Sequence, residues 1–367
     1  VSLAIRGLGT ALPASRISQA ESTAAAKYLC AETEEQAHLL ATLYRQTEIE
    51  NRHVVFRAES VRAVVSGTGT ADSVFVPKEK SNHGPTTAQR MERYNKEALP
   101  LAVQAARSAL AEAEIGPEEI THLVTISCTG FAAPGVDIGL IKTVGMRPTT
   151  QRVNVGFMGC HGALNGLRVA AGLTGADPSA RVLLCAVELC SLHYYYGWNP
   201  KKMVGNALFA DGAAAIVGVP EAKASRNDWR MAASGSCLFD DSEFAMSWHV
   251  GDYGFDMMLS TRVPNLIAKN LKPWVESWLA ENDLSISDIK SWAVHPGGPR
   301  VLNSVEESLG LPTGITDVSR DVLSHCGNMS SPTVLFIIDR LRRHNAPRPC
   351  VALGFGPGLV AEGAILR

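Results

Sequence analysis

Apolar residues fall along the chain in two alternating rhythms. Short, nearly unbroken apolar runs read as buried strands at residues 120–127, 152–158, 181–187, 290–295 and 349–353. Other stretches place apolar residues at i, i+3 and i+4, the spacing of one helix face. The clearest follows Gly159-Cys160, with Leu164, Leu167, Ala170 and Ala171 along one side. A second covers 333–341, opened by Pro332 in the first turn with Ser331 as the candidate N-cap. Residues 86–115 are helical in composition, and Pro100 predicts a kink within them. Strands alternating with helices predict an α/β fold around a central sheet.

The order strand, turn, helix, strand occurs twice. His295 lies 168 positions after Ser127, Asn328 lies 168 after Cys160, and Val351 lies 168 after Leu183. Asp211-Gly212-Ala213-Ala214-Ala215-Ile216 resembles Glu362-Gly363-Ala364-Ile365 at an offset of 151, which places a 17-residue insertion near 189–206. These spacings predict two duplicated halves, 1–220 and 221–367, joined at the polar stretch 221–228.

Composition narrows the class. The 367 residues are 46% hydrophobic and 19% charged, which favours a packed globular core over a disordered chain. With 34 basic against 36 acidic side chains the net charge is −2, so the broad positive field of a nucleic-acid binder is missing. No run approaches the ~18 apolar residues of a membrane span, and 333–338 is cut off by Asp339. No secretory leader is visible, so the expectation is a cytoplasmic protein without membrane association. The eight cysteines form no Cys-x-x-Cys pair, which predicts buried thiols in a reducing compartment and no metal site.

Three residues carry candidate chemistry. Cys160 falls at a strand-to-helix turn, where unpaired N–H groups and the helix dipole favour a thiolate. Gly156, Gly159 and Gly162 leave room for a substrate there. His295 ends a strand before Pro296-Gly297-Gly298, at the sheet edge where ligands bind in α/β folds. Each has a bland counterpart: a packed thiol, a satisfied core histidine, and for Asn328 a helix cap. The repeat sets Cys160 and Asn328 at matching turns, so a pseudo-twofold arrangement would bring both to one cavity. The segment 354–358 is glycine-rich but lacks the following helix of a dinucleotide fingerprint, and predicts a tight loop. Residues 193–196 either line an aromatic pocket or form an inserted surface loop.

These residues resemble the type III polyketide synthases, the chalcone-synthase-like family of the thiolase superfamily. The resemblance rests on Gly159-Cys160, Ala207-Leu208-Phe209-Ala210-Asp211-Gly212, His295-Pro296-Gly297-Gly298-Pro299, Gly327-Asn328-Met329-Ser330-Ser331-Pro332 and Gly354-Phe355-Gly356-Pro357-Gly358, in that order. The stretch 248–257 is similar to the bacterial branch. The resemblance implies a layered αβαβα thiolase-like fold, a homodimer, and Cys160, His295 and Asn328 as the catalytic triad. It also implies Phe209 as a gatekeeper before the coenzyme A tunnel, with an imidazolium at His295 holding Cys160 as thiolate. Acyl-CoA starter and malonyl-CoA are the implied substrates, with no cofactor beyond these thioesters.

Four positions depart from chalcone-forming members: Met257 at a second gate, Trp248 where glycine is usual, His193 for threonine and Ala133 for methionine. Trp248 is expected to narrow or redirect the elongation cavity. Ser330, Gly354 and Pro357 fall within the motifs expected to line it. The basic cluster for the coenzyme A phosphates is reduced to Arg45, and Arg300 is expected to compensate. Three rivals stay open at this level: a ketoacyl synthase III-like enzyme taking a carrier protein, a Cys/His/Asn hydrolase, and a non-catalytic acyl-binding homologue.

Overall fold

The computed structural model describes residues 3–66, 74–76 and 83–367. The chain begins with β1 (Leu3–Ala11), and a small pair, β2 (Ser15–Ser18) and β3 (Asn51–Val54), brackets α1 (Gln19–Cys30) and α2 (Glu34–Arg45). Helix α1 starts where Ser18 and Glu21 form a reciprocal capping box. After α3 (Ala58–Ser66), the 27-residue α4 (Thr87–Ala113) continues through Pro100, which is exposed. Then follow β4 (His122–Ser127), α5 (Val136–Val144), β5 (Gln151–Gly156), α6 (Gly162–Ala176), β6 (Val182–Leu189), α7 (Pro200–Leu208) and β7 (Asp211–Pro220). Next come β8 (Trp229–Leu238), the hairpin of β9 (Met246–Gly251) and β10 (Gly254–Leu259), and α8 (Val263–Ala280). The chain closes with β11 (Ser291–Val294), α9 (Pro299–Leu309), α10 (Asp317–Cys326), α11 (Pro332–Arg343), β12 (Cys350–Gly356) and β13 (Val360–Leu366).

Nine strands form one mixed sheet in the order β11-β12-β13-β8-β1-β7-β6-β4-β5. Strands β4 and β6 are parallel, and β7 and β1 follow antiparallel. On the other side β11 and β12 are parallel, and β13 and β8 follow antiparallel. The two series meet at β1 and β8. Helices α6 and α11 share a core with residues from both series, including Leu164, Leu167, Ile216, Val334, Leu335 and Ala352. Outer cores form with α4 and α5 on one side and α8 and α9 on the other. The result is five layers, because each half-sheet is apolar on both faces and needs cover on each.

The repeat is one of topology, and not every sequence offset survives. Leu183 and Val351 both face outer cores, and Cys160 and Asn328 both precede the central helices. Ser127 faces outward to the Tyr94 hydroxyl at 2.7 Å, whereas His295, two residues beyond the inward Ala293, faces inward. Asp211, three residues from the inward Ala214, and Glu362, two from the inward Ala364, also face opposite ways. A one-residue slip turns a strand side chain to the other face, so these two matches are sequence similarity without structural equivalence. Ser331 stands at the N-cap position of α11 as expected but makes no side-chain capping bond: it has helical backbone angles, and its hydroxyl donates to Glu188 at 2.7 Å.

Candidate active site

Cys160 occupies the turn between β5 and α6 and is 5% exposed. Gly159 has φ +82°, and a Cβ there would stand 2.5 Å from the Pro357 ring, so only glycine lets the turn pass beneath Pro357. Asn328 reaches the same point from the second half. Its backbone clamps the segment after α7: the Asn328 N–H donates to the Leu208 carbonyl at 3.0 Å, and its carbonyl accepts from the Ala210 N–H at 2.8 Å. Phe209 is therefore held between two fixed neighbours. The Asn328 Oδ1 accepts from the Ser330 N–H at 2.8 Å. Its side chain also lies close enough to Cys160 to lower the thiol that burial raises. With its Oδ1 held in this turn, Asn328 caps no helix. Ser330, at φ +59°, lowers the thiol too, and its hydroxyl lies 3.3 Å from the Cys128 sulfur.

Burial acts against the expected ion pair. It pushes the Cys160 thiol up to about 12, which the Ser330 and Asn328 side chains offset only in part; the Glu188 charge raises it further. Burial likewise pulls His295 down to about 3, and nearby His161 adds to the effect. Both ring nitrogens of His295 are buried without a hydrogen-bond partner. No carboxylate contacts that ring, so desolvation dominates. Burial thus acts against both the thiolate and the imidazolium.

Two cavities meet beside Cys160, and neither is lined by His295 or Asn328. A chamber of about 20 Å³, roughly one water, touches Cys160, Ser330, Pro357 and Cys128. A second of about 760 Å³ is lined by Ile17, Leu29, Val54, Phe56, Val61 and Phe75, with Arg57, Arg93 and Lys96 among its cations. Phe209, Trp248, Met257 and Cys190 belong to both walls. Trp248 is fixed there by its indole N–H, which donates to the Cys128 carbonyl at 2.7 Å, and by edge contacts to His193 and Phe255. His193 and Tyr194–Tyr196 line the larger cavity and form no surface loop. The His193 ring cannot act as a base: Nδ1 accepts from the Phe255 N–H at 2.9 Å, so Nε2 donates to the Thr129 carbonyl at 2.6 Å. Burial holds it down to about 3.

Other expected site residues lie elsewhere. Arg45 and Arg300 are exposed, and neither lines either cavity. Ala133 is exposed in the loop before α5. Gly354 belongs to β12, not to a loop, and faces His161.

Glu188 was not anticipated. It is fully buried and accepts from the Cys128 N–H at 3.0 Å, the Thr129 hydroxyl at 2.6 Å and the Ser331 hydroxyl at 2.7 Å. Burial pushes its carboxyl up despite these donors. It ties the end of β4 to the start of α11, holding the walls of the small chamber together. A lone carboxylate inside the apolar run of β6 was the signal for it.

Comparison with known proteins places this geometry. The family model "Chalcone and stilbene synthases, N-terminal domain" matches residues 2–220, and the corresponding C-terminal domain matches 230–367. The chain belongs to this family, the type III polyketide synthases, and is an acyl-condensing enzyme. Among relatives, it is 35% identical to the "Alpha-pyrone synthesis polyketide synthase-like Pks18" of Mycobacterium tuberculosis over 76% of this chain and 73% of that one. It is 32% identical to the 1,3,6,8-tetrahydroxynaphthalene synthase of Streptomyces peucetius over 99% of this chain and 92% of that one. Among solved structures, PKS-I from the brown alga Ectocarpus siliculosus superposes with a TM-score of 0.92 at 31% identity, covering 100% of this chain and 98% of that one.

Proposed function

We propose that Cys160, His295 and Asn328 are the catalytic residues, and that the enzyme extends an acyl-CoA starter with malonyl-CoA in successive rounds. The observation that carries this is the place of Asn328, brought from the second half of the chain to clamp the Phe209 segment at the chamber of Cys160, with its side chain near enough to lower the thiol. The proposed halves, 1–220 and 221–367, then contribute nucleophile and electrophilic groups respectively.

The chemistry starts from a thiol and an imidazole. His295 takes the thiol proton as the sulfur attacks the starter thioester, and returns it to the departing coenzyme A thiolate. Malonyl-CoA then loses carbon dioxide: the bond to the carboxylate breaks and its electron pair becomes an enolate. The Asn328 amide and an N–H of neutral His295 donate to that developing oxyanion. The half-buried ring of Phe209 excludes water from the departing carboxylate, which favours the neutral product. The enolate carbon attacks the Cys160 thioester and expels the sulfur, and the lengthened chain returns to it with loss of coenzyme A.

The larger cavity suits substrates of this kind, with an apolar barrel for an acyl chain beside a cationic rim for a polyanionic carrier. Arg57 and Lys96 are exposed there without an ion-pair partner among the described residues. Catalysis by this scheme uses coenzyme A thioesters as substrates and no further cofactor. The expected homodimer is supported by β5, an edge strand exposed along nearly its whole length, next to exposed Phe131, Phe157 and Met158. Among the described residues no helix is long and apolar enough to cross a membrane; a cytoplasmic location accords with the thioester substrates.

Incubation with a panel of acyl-CoAs and labelled malonyl-CoA, followed by mass spectrometry, tests the proposal. Extended products are expected from the wild type and none from Cys160→Ala. Activity confined to malonyl carrier protein would overturn the substrate assignment.

A further inference from the structure

A row of side chains crosses the second half-sheet beneath the N-terminus of α6. The His295 N–H donates to the Leu353 carbonyl at 2.8 Å, one register step beyond the Val294–Leu353 pair, so His295 lies beside Gly354. Gly354 pairs with Glu362, and Glu362 pairs with Ser236. Paired residues share a face, so His295, Glu362 and Ser236 point the same way.

That face is met by His161, the residue after the proposed nucleophile. A Cβ on Gly354 would lie 3.1 Å from the His161 Cβ, and one on Gly356 would lie 2.4 Å from its Nε2. The two glycines form a slot that seats the imidazole. The ring is 2% exposed. Asn165 donates its amide to Glu362 at 3.0 Å, leaving Oδ1 to accept at 2.7 Å from the His161 Nδ1. Glu362 also accepts from the Ser236 hydroxyl at 2.8 Å and from Arg168. The His161 Nε2 is buried with no partner, as are both nitrogens of His295.

We propose that His161 is a positioning residue for the proton leaving Cys160: tethered through Asn165 to Glu362 and facing His295, it has to be uncharged for His295 to accept that proton. This rests on the assignment of Cys160 and His295 made above. The transfer breaks the S–H bond and forms an N–H bond on His295, giving a thiolate and an imidazolium with no net change in charge. A second imidazolium in the same buried pocket opposes it by like-charge repulsion.

Glu362 on β13, Arg168 on α6, His295 beyond β11 and Cys160 are the titratable or charged groups facing His161; β12 and β8 present glycines and a serine. Burial lowers His161, while Asn165 and Glu362 partly offset this. Burial lowers His295 too, and neither of its ring nitrogens has a hydrogen-bond partner to offset this. As pH falls, His161 is therefore the ring that charges first, and Arg168 limits how early by neutralising part of Glu362.

His161→Asn keeps an amide donor for Asn165 and removes the titrating ring. Glu362→Gln keeps the acceptor, while Arg168, 42% exposed at its side chain, turns to solvent. The measurement is the rate of Cys160 alkylation by iodoacetamide between pH 5 and 8, read on the Cys160 peptide by mass spectrometry. The kcat/KM for malonyl-CoA is followed over the same range. In both variants the acid-side fall is expected to move to lower pH. At pH 5.5 each should label on the order of three- to tenfold faster than wild type, with KM at neutral pH within about twofold. Slower labelling at every pH with an unmoved midpoint in both variants would show a merely structural role and overturn the proposal. Extension by Cys160→Ala would instead overturn the active-site assignment.

Discussion

Trp248→Ala tests how the chamber at Cys160 is bounded. The indole donates to the Cys128 carbonyl at 2.7 Å. Its loss leaves that acceptor unpaired, at a cost of about 1–3 kcal/mol. The ring also makes edge contacts to His193 at 5.6 Å and Phe255 at 5.9 Å, each worth about 0.5–1.5 kcal/mol. Water can reach part of the half-buried site in the variant, so the net loss should be about 2–4 kcal/mol, near the lower part of the range for large-to-small aromatic truncations. The functional effect has the opposite sign. Trp248 stands in the wall between spaces of about 20 and 760 Å³, and removing it merges them around the sulfur. Urea unfolding should give the stability loss, and mass spectrometry of products from labelled malonyl-CoA should show more extension units than in wild type. A variant with unchanged unfolding and the wild-type product distribution would refute Trp248 as the limiting wall.

Other variants test the cavity entry, the exposed edge strand and a helix cap. Arg57→Ala combined with Lys96→Ala should raise KM for the coenzyme A thioester about three- to tenfold, equivalent to roughly 1 kcal/mol, and more at low salt. Arg300→Ala should leave it unchanged, because Arg300 lines neither cavity; the reverse pattern in steady-state kinetics would return the entry to α9. Val153→Asp places a charge on the exposed edge strand β5 and should weaken the proposed dimer in sedimentation. Glu21 is held down to about 2 by the Ser18 backbone N–H and by Arg62. Its folded value is depressed, so its contribution is present above pH 4.5 and fades as pH falls toward 2. The stability gap between wild type and Glu21→Gln should close over that window in acid-unfolding curves, and Ser18→Ala should cost about 1 kcal/mol at neutral pH.

Much of the fold was legible from periodicity. The runs at 120–127, 152–158, 181–187, 290–295 and 349–353 are strands, and the segments after Cys160 and Pro332 are helices. Boundaries moved where hydrogen bonding outran hydrophobicity: β12 extends through Gly354 to Gly356 because its ladder with β13 continues to Val360. Pro100 lies inside α4 as expected, on its exposed face, and the buried alanine stripe carries the packing. The paired offsets of 168 and 151 marked the duplication without resolving which faces correspond, because a count along the chain is blind to a single-residue slip.

At the site, Cys160, His295 and Asn328 were visible as residues at strand ends and helix starts, the positions where backbone polar groups are left open. Their charge state was not. A helix N-terminus favours a thiolate, whereas deep burial, set by walls drawn from β9, β10 and both halves, favours the thiol. Arg300 and Arg45 were reasonable cations by sequence neighbourhood, whereas Arg57 and Lys96 reach the cavity only because β3 and α4 fold beside it.

The amino-acid order determined the alternation of strands and helices, the duplicated topology and which side chains are candidates for the chemistry, since each of these is a matter of local spacing and residue chemistry. Only the tertiary structure decided which faces pair, how deeply the sulfur and imidazole are buried, and that Glu188, His161 and Trp248 stand around them. Those properties depend on contacts between residues 60 to 200 positions apart, and desolvation and packing at such range are features of the assembled volume that no linear pattern encodes.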